Sequence, residues 1–558
     1  MLKNAHKILT FIIFHFILIS LIKSEENIYQ KFKCNIDSIK ETPELVNKTL
    51  QIKNPKSRRN LANKFKDLSI FLDLNNLEEE IKLYNLTEQR EFFITGLKKA
   101  VHTLEKLIKI KQPQNYVFTD EMLLKNSINY WDKTKIGDDA TEGMVSLNID
   151  LFIFIRFGNN TDMGSSTLAS ASAKYLDQDS GQPLLGLINL NRNVDYTKVN
   201  SLRYFELILL HEMTHVLGFT QYFFKTFFHN FLEKEDNYGI KRAYINSAKV
   251  VEVAKKYFNC STVEGVELED YGGSGTVGSH WESRILLGEY MNGVTYSEEE
   301  VISEFTLALL EDTGFYQVKY YTGGLMQFGK NKGCEFLNSK CVENGSVNPK
   351  FKNEFFDTIY GNYFDPSCSS GRQSRTYHML NRFTSIPVQY QYFTNERNGG
   401  RASSDYCPVS QENIEETQKS YYVGHCSQLG SGDYGIRINY KNSTTLVLKR
   451  YKSSELSSIN SEKHSDNSFC VLSSLISKKI DNYKYYSSTV RAVCYQMHCS
   501  DRSLTIQINT DYIVCPRAGG KIEAVSFSGY LLCPDYNLIC SGTVLCNDFL
   551  DCIEKNST

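Results

Sequence analysis

The chain has 558 residues, enough for two or three domains, and 41% of them are apolar, which excludes a disordered polymer. Lys and Arg total 62 against 64 Asp and Glu, a formal net charge of -2. Recognition of nucleic acid through bulk charge needs a basic face and is excluded on that balance.

At the N-terminus, Lys3, His6 and Lys7 precede an apolar run over residues 8–22, and Lys23, Ser24 and Glu25 follow it. A basic start, a short greasy stretch and a polar exit predict a secretory signal peptide over 1–24. The rival is a membrane anchor, for which the run is short. No later stretch is long and apolar enough to span a bilayer. The polar tail at 548–558 offers no glycolipid-anchor signal. The expectation is a soluble, secreted or lumenal protein that acts as a monomer. Cysteine usage agrees with an oxidising compartment, since 13 of the 15 lie at or after Cys334. Seven Asn-x-Ser/Thr triplets, at Asn47, Asn85, Asn159, Asn259, Asn344, Asn442 and Asn556, are candidate sugar acceptors.

Residues 25–60 form a polar segment with one cysteine, Cys34, and end near the basic cluster Lys56, Ser57, Arg58 and Arg59. This reads as a pro-segment with a processing site. Residues 61–325 alternate helix-like and strand-like stretches and hold only Cys260. Residues 326–558 form a cysteine-rich region of short segments, within which the Ser-rich stretch 453–468 reads as an exposed loop.

In the middle region Phe93, Leu97, Val101, Leu104 and Ile108 recur at helical spacing after Thr87 and Glu88. Residues 151–157 and 184–190 read as strands. Residues 204–219 predict a buried helix, because the apolar run YFELILL leads directly into HEMTH. Ser297 and Glu300 read as a capping box for a helix that Gly314 ends.

His211, Glu212 and His215 make the HExxH pattern. Residues four apart lie one turn above each other on a helix, so both imidazoles reach one zinc ion from one face. Glu212 then sits beside the metal as general base and acid. The bland reading is two histidines on a helix surface. The apolar run before them argues for burial, and buried charge needs a partner or a purpose.

Gly218 is where the chain must turn to leave the helix. No histidine follows it before His229, and the next is His280. His229 lies among phenylalanines and suits a core position. His280 is approached through Gly272, Gly273, Gly275 and Gly278, which let backbone run close to a metal, and it is the preferred third ligand. A carboxylate on a later helix, such as Glu304, is the rival. Met291, between Gly288 and Gly293, would support the site from beneath if its turn is tight, and is core filler otherwise.

These residues together resemble the leishmanolysin family of metzincin peptidases. That family has HExxHxxG, a long insertion, the third histidine and then a methionine turn. The likeness extends to Phe258, Asn259 and Cys260, to VELEDYGG at 266–273, to Thr313, Gly314 and Phe315, to Gly333 and Cys334, and to Asp405, Tyr406, Cys407 and Pro408. It runs unevenly over 70–545 and is specific around 200–341. It implies an α+β fold: a metzincin-like catalytic domain over 61–325, with an insertion at 219–279, a mixed sheet and the HExxH helix, followed by a cysteine-rich domain. It implies a zinc-dependent endopeptidase acting on proteins or peptides, with one zinc held by His211, His215 and His280 and a Met-turn at Met291. It implies an extended substrate paired to strand 184–190. It also implies a zymogen in which Cys34 takes the open position on zinc, although Ile36 stands where the family has histidine. Cysteine parity agrees, since setting Cys34 aside leaves an even 14. The 13 cysteines from Cys334 onward are odd in number, so Cys260 is expected to bridge the two regions. The early family disulfides and an anchor signal are missing. The alternative reading is an adhesion or binding protein on a protease-like fold.

Overall fold

The computed structural model describes residues 65–111, 150–158, 167–177, 180–194, 202–228, 230–271, 276–294, 301–320, 326–357, 365–412, 424–427, 433–440, 446–479 and 485–540, apart from a few single positions. Short strands at 44–46, 117–119 and 144–146 are described as well. The signal-peptide stretch, Cys34, the basic cluster at 56–59, Ser297, Glu300 and His229 lie outside the described residues.

The site rests on one five-stranded mixed sheet and the helices against it. The strands are β1 (Glu44–Val46), β2 (Ile70–Asp73), β3 (Leu151–Gly158), β4 (Ala169–Asp177) and β5 (Pro183–Asn191). Their order is β1-β4-β5-β3-β2. β5 runs parallel to β3, with Ile188 opposite Ile155, and antiparallel to β4, with Ile188 opposite Ala171. All nine residues of β5 are buried. An unbroken apolar run is what a strand covered on both faces requires. That burial corrects the expectation that 184–190 receives substrate. Both edges of β5 are already paired, so it has no free backbone groups to offer. The outer edge belongs to β4, where β1 pairs in parallel, Leu45 opposite Leu176.

Four helices build the region of the site: α1 (Arg90–Leu107), α2 (Leu202–Val216), α3 (Ala248–Phe258) and α4 (Glu304–Asp312); α2 packs on β4 and β5, α1 packs on α2, and α3 packs on α4. α1 buries Phe93, Leu97 and Leu104 of the expected stripe together with Ala100 and Leu107, while Val101 is only partly buried. It stops one residue sooner than the spacing suggests. Ile108 is extended (φ -123°, ψ 130°) and opens a strand, Ile108–Lys111, paired with Tyr316–Val318. The alternation Ile-Lys-Ile-Lys has the period of a strand and prevails over the helical match.

α2 is buried along most of its length. Two glycines allow its close approach. A Cβ at Gly96 of α1 would lie 2.4 Å from the Phe205 ring, and one at Gly186 of β5 would lie 2.3 Å from Val216 Cγ1. α4 begins at Glu304 rather than at the expected capping box. Ser303 Oγ accepts the Phe305 amide at 3.2 Å, and Gly314, at φ +75°, turns the chain out of the helix.

One continuous core takes side chains from Leu68 through Val409, so residues 326–409 pack with the α2 region. A second core spans Phe469 to Ile539 around a six-stranded sheet. The stretch at 453–468 is not an open loop. Leu456–Asn460 is a short helix with Leu456 and Ile459 buried, their three-residue spacing putting both on one face.

Twelve cysteines pair as 260–334, 341–407, 368–470, 426–494, 499–540 and 515–533. Cys260 thus ties the end of α3 to the start of the cysteine-rich region, the bridge that the odd cysteine count suggested. No helix among the described residues is long and apolar enough to cross a membrane. Replacing Cys260 and Cys334 together by serine should lower unfolding stability by about 2–5 kcal/mol, read from the denaturant midpoint. An unchanged midpoint would mean this link holds nothing together.

Candidate functional site

α2 delivers two imidazoles to one point. The apolar run before His211 sinks the helix into the core, and the four-residue spacing stacks His211 above His215. Their Nε2 atoms stand 3.0 Å apart. His280 arrives from the segment after the glycine-rich stretch, with its Nε2 3.2 Å from that of His211. His215 and His280 are fully buried, and His211 nearly so.

The second nitrogen of each ring is committed. His211 Nδ1 donates to the Tyr290 carbonyl at 2.6 Å, His215 Nδ1 to the Phe219 carbonyl at 2.7 Å, and His280 Nδ1 to the Thr276 carbonyl at 2.9 Å. A carbonyl only accepts, so each Nδ1 carries the proton and each Nε2 presents a lone pair. Burial keeps the rings neutral. It lowers His211 to about 4 and His280 to about 3, and holds His215 well below its ordinary value with help from its two neighbours.

Three lone pairs facing one another repel unless a cation sits among them. Zinc–nitrogen bonds of 2.0–2.1 Å in tetrahedral geometry require nitrogens roughly 3.3 Å apart, close to the spacings seen. An all-imidazole set suits zinc, and the residues present therefore fit that ion.

Each orienting carbonyl has a local cause. α2 ends at Val216, and Gly218, at φ +120°, swings Phe219 back so that its carbonyl meets His215. Thr276 is held against Gly293, where a Cβ would come within 2.3 Å of Thr276 Cγ2. Tyr290 belongs to the turn around Met291. Met291 is fully buried, its carbonyl accepts the Trp281 amide at 3.0 Å, and Asn292 Nδ2 donates to the Trp281 carbonyl at 3.0 Å. The methionine turn and the His280 segment are thus stitched together directly.

Sequence reasoning missed Glu289. Its carboxylate accepts from Ser303 Oγ at 2.7 Å, Thr306 Oγ1 at 2.6 Å and the Met291 amide, and so fastens the methionine turn to α4. Burial pushes it up to about 7 against those donors. The available signal was a charged residue inside the apolar, glycine-bounded turn. Tyr290 was also missed. Its hydroxyl pairs with Thr214 Oγ1 at 2.9 Å, so one residue holds α2 through both side chain and carbonyl.

Glu212 is buried on α2 directly after His211. Glu304 opens α4 and is not among the groups that converge with the histidines. Cys34 and His229 lie outside the described residues.

The sequence matches the peptidase family model described as leishmanolysin over residues 85–546. Leishmanolysin of Leishmania major is 28% identical over 384 residues, which cover 65% of this chain and 56% of that protein. Leishmanolysin of Leishmania donovani is 26% identical over 469 residues, or 78% and 70% of the two chains. A leishmanolysin-like peptidase of Drosophila pseudoobscura pseudoobscura is 24% identical over 467 residues, or 73% and 65%. The chain spans little more than half of the Leishmania major relative's length.

Replacing Gly293 by valine should displace Thr276 and release the His280 ring. Zinc affinity, measured by competition with a chromogenic chelator, is expected to fall roughly 10–100-fold. A folded variant with wild-type affinity would show that this carbonyl does not orient the ligand.

Proposed function

The chain belongs to the leishmanolysin family, and on that premise we propose that it is a zinc-dependent endopeptidase, exported through the secretory pathway and made as a zymogen. The convergence of three buried Nε2 atoms, with buried Glu212 following the first of these histidines on α2, carries this reading. His211, His215 and His280 would hold one zinc ion. Bound there, zinc supplies a Lewis acid for the scissile carbonyl and makes water a better nucleophile near neutral pH.

The rest of the chemistry belongs to the chain. Glu212, one residue along α2 from a ligand, takes the proton from the attacking water and delivers it to the departing amine nitrogen. The Nδ1 hydrogen bonds keep the three rings fixed, so no reorganisation is needed as charge develops. The buried surroundings exclude bulk water and strengthen each electrostatic contact. An extended peptide would add as a strand to the outer edge of β4, the side of the sheet that β5 leaves open.

Two observations support the zymogen. β1 comes from the segment read as the pro-region, and it covers β4 from Tyr175 to Asp177, the edge a substrate strand would use. The six disulfides consume twelve cysteines and leave Cys34, Cys546 and Cys552 outside the described residues. A pair between the last two would leave Cys34 as a thiol able to ligate zinc. The same disulfides support an oxidising compartment.

Hydrolysis of a casein-like substrate should stop when zinc is chelated and return when it is restored. Glu212→Ala should keep its zinc and lose about 10²–10⁴ in turnover. Chelator-insensitive hydrolysis, or full turnover in the variant, would refute the mechanism. A folded, zinc-loaded wild-type protein with no hydrolysis after trimming of residues 25–60 would favour the binding or adhesion reading.

A further inference from the structure

A second group of converging ligands lies on the segment that carries His280. Residues 267–269 run antiparallel to residues 280–282. Leu268 bridges Trp281, the Glu269 amide donates to the His280 carbonyl at 2.9 Å, and the Glu282 amide donates to the Glu267 carbonyl at 3.1 Å. Side chains alternate on an extended ladder. Leu268 and Trp281 enter the core, which sends Glu267, Glu269 and Glu282 to the other face.

That face is short of positive charge. Six carboxylates, from Asp236, Glu267, Glu269, Asp270, Glu282 and Asp405, meet two guanidinium groups, Arg242 and Arg284. Arg242 pairs with Asp236 at 2.8 Å, Asp405 at 2.7 Å, Asp270 at 3.6 Å and Glu267. Arg284 pairs with Glu267 at 2.7 Å and Asp405 at 3.3 Å. Neither arginine pairs with Glu269 or Glu282, which are 1% and 0% exposed.

Each of these two glutamates has one satisfied oxygen. Glu269 Oε1 accepts the Tyr271 amide at 2.9 Å, and Glu282 Oε1 accepts the Arg284 amide at 2.8 Å. Oε2 of each is buried with no hydrogen bond. A buried carboxylate oxygen without a donor is costly, and two close together are costlier. One carboxylate oxygen from each of Glu269, Asp270 and Glu282 falls within 4.8 Å of the others. Oxygens bound to a common calcium ion at 2.3–2.6 Å stand at most about 5 Å apart.

We propose that Glu269, Asp270 and Glu282 form a second metal site, for a hard divalent cation of the calcium class, distinct from the three-histidine centre. An all-oxygen set selects such an ion over zinc, which prefers nitrogen and sulfur. The ion neutralises the two glutamates that the arginines leave unpaired. It also clamps the ladder to which His280 itself belongs, so it braces the third imidazole from the side opposite the methionine turn. Asp270 is the most exposed of the three and gives the ion its way in.

The test uses the zinc-loaded full chain and reads metal content, not peptidase activity. After equilibration with 1 mM calcium, roughly a hundredfold above a Kd of about 10⁻⁵ M, elemental analysis should find near one calcium per zinc. Glu269→Gln and Asp270→Asn should each remove most of the calcium and keep the zinc. Calcium should raise the wild-type Tm by roughly 2 °C and leave both variants unmoved. If the variants do not fold, an anomalous-scattering peak for calcium between the three carboxylates of the wild type decides the matter. Zinc alone in the wild type, with no Tm shift, would overturn the site and mean that these carboxylates stay buried by keeping protons.

Discussion

Three hydrogen bonds, each from an imidazole Nδ1 to a backbone carbonyl, set the character of this molecule. They fix the tautomer of His211, His215 and His280 and leave three lone pairs aimed at a common point. Such an arrangement is unstable by itself inside a protein and becomes favourable around a cation. Gly218, Gly293, Trp281 and Glu289 can all be understood as parts that place those three carbonyls. The apolar run of α2 serves the same end, since it buries two of the rings on a helix whose Val216 packs against Gly186 of β5.

The third imidazole poses the harder structural problem. It lies 65 positions beyond His215, after a long excursion of chain, and must return within a few tenths of an ångström. The excursion is secured at several points. Cys260 is bonded to Cys334, Trp281 is stitched to Asn292, and Asp405 reaches Arg242 and Arg284 from well beyond α4. The cysteine-rich region therefore contributes to the geometry of the His280 segment. A cation among Glu269, Asp270 and Glu282 would complete that support by neutralising the two glutamates that the arginines leave unpaired.

Much of the site could be read from the residues because its logic is local. The spacing of His211 and His215 needs only a helix, and the glycines before His280 announce a backbone that must come close to something. The continuous apolar run of β5 was legible as a strand, but not as a central one, because sheet order depends on partners far away in sequence. Ile108 and Ser303 show the same limit at shorter range. A helical stripe and a capping pattern each matched one window, while the neighbouring strand pairing and turn decided the boundary. Glu289 announced itself only as a charge in an apolar turn, and its partners, like the buried charges around Arg242, come from residues brought together only by folding.

The most direct measurement is the equilibrium zinc affinity of His280→Ala against the wild-type chain, by chelator competition on folded protein. Loss of a coordinating imidazole should weaken binding by more than the 10–100-fold expected when only its orienting partner is lost. Unchanged affinity would place the third ligand elsewhere in the chain and leave the convergence of the three rings without a purpose.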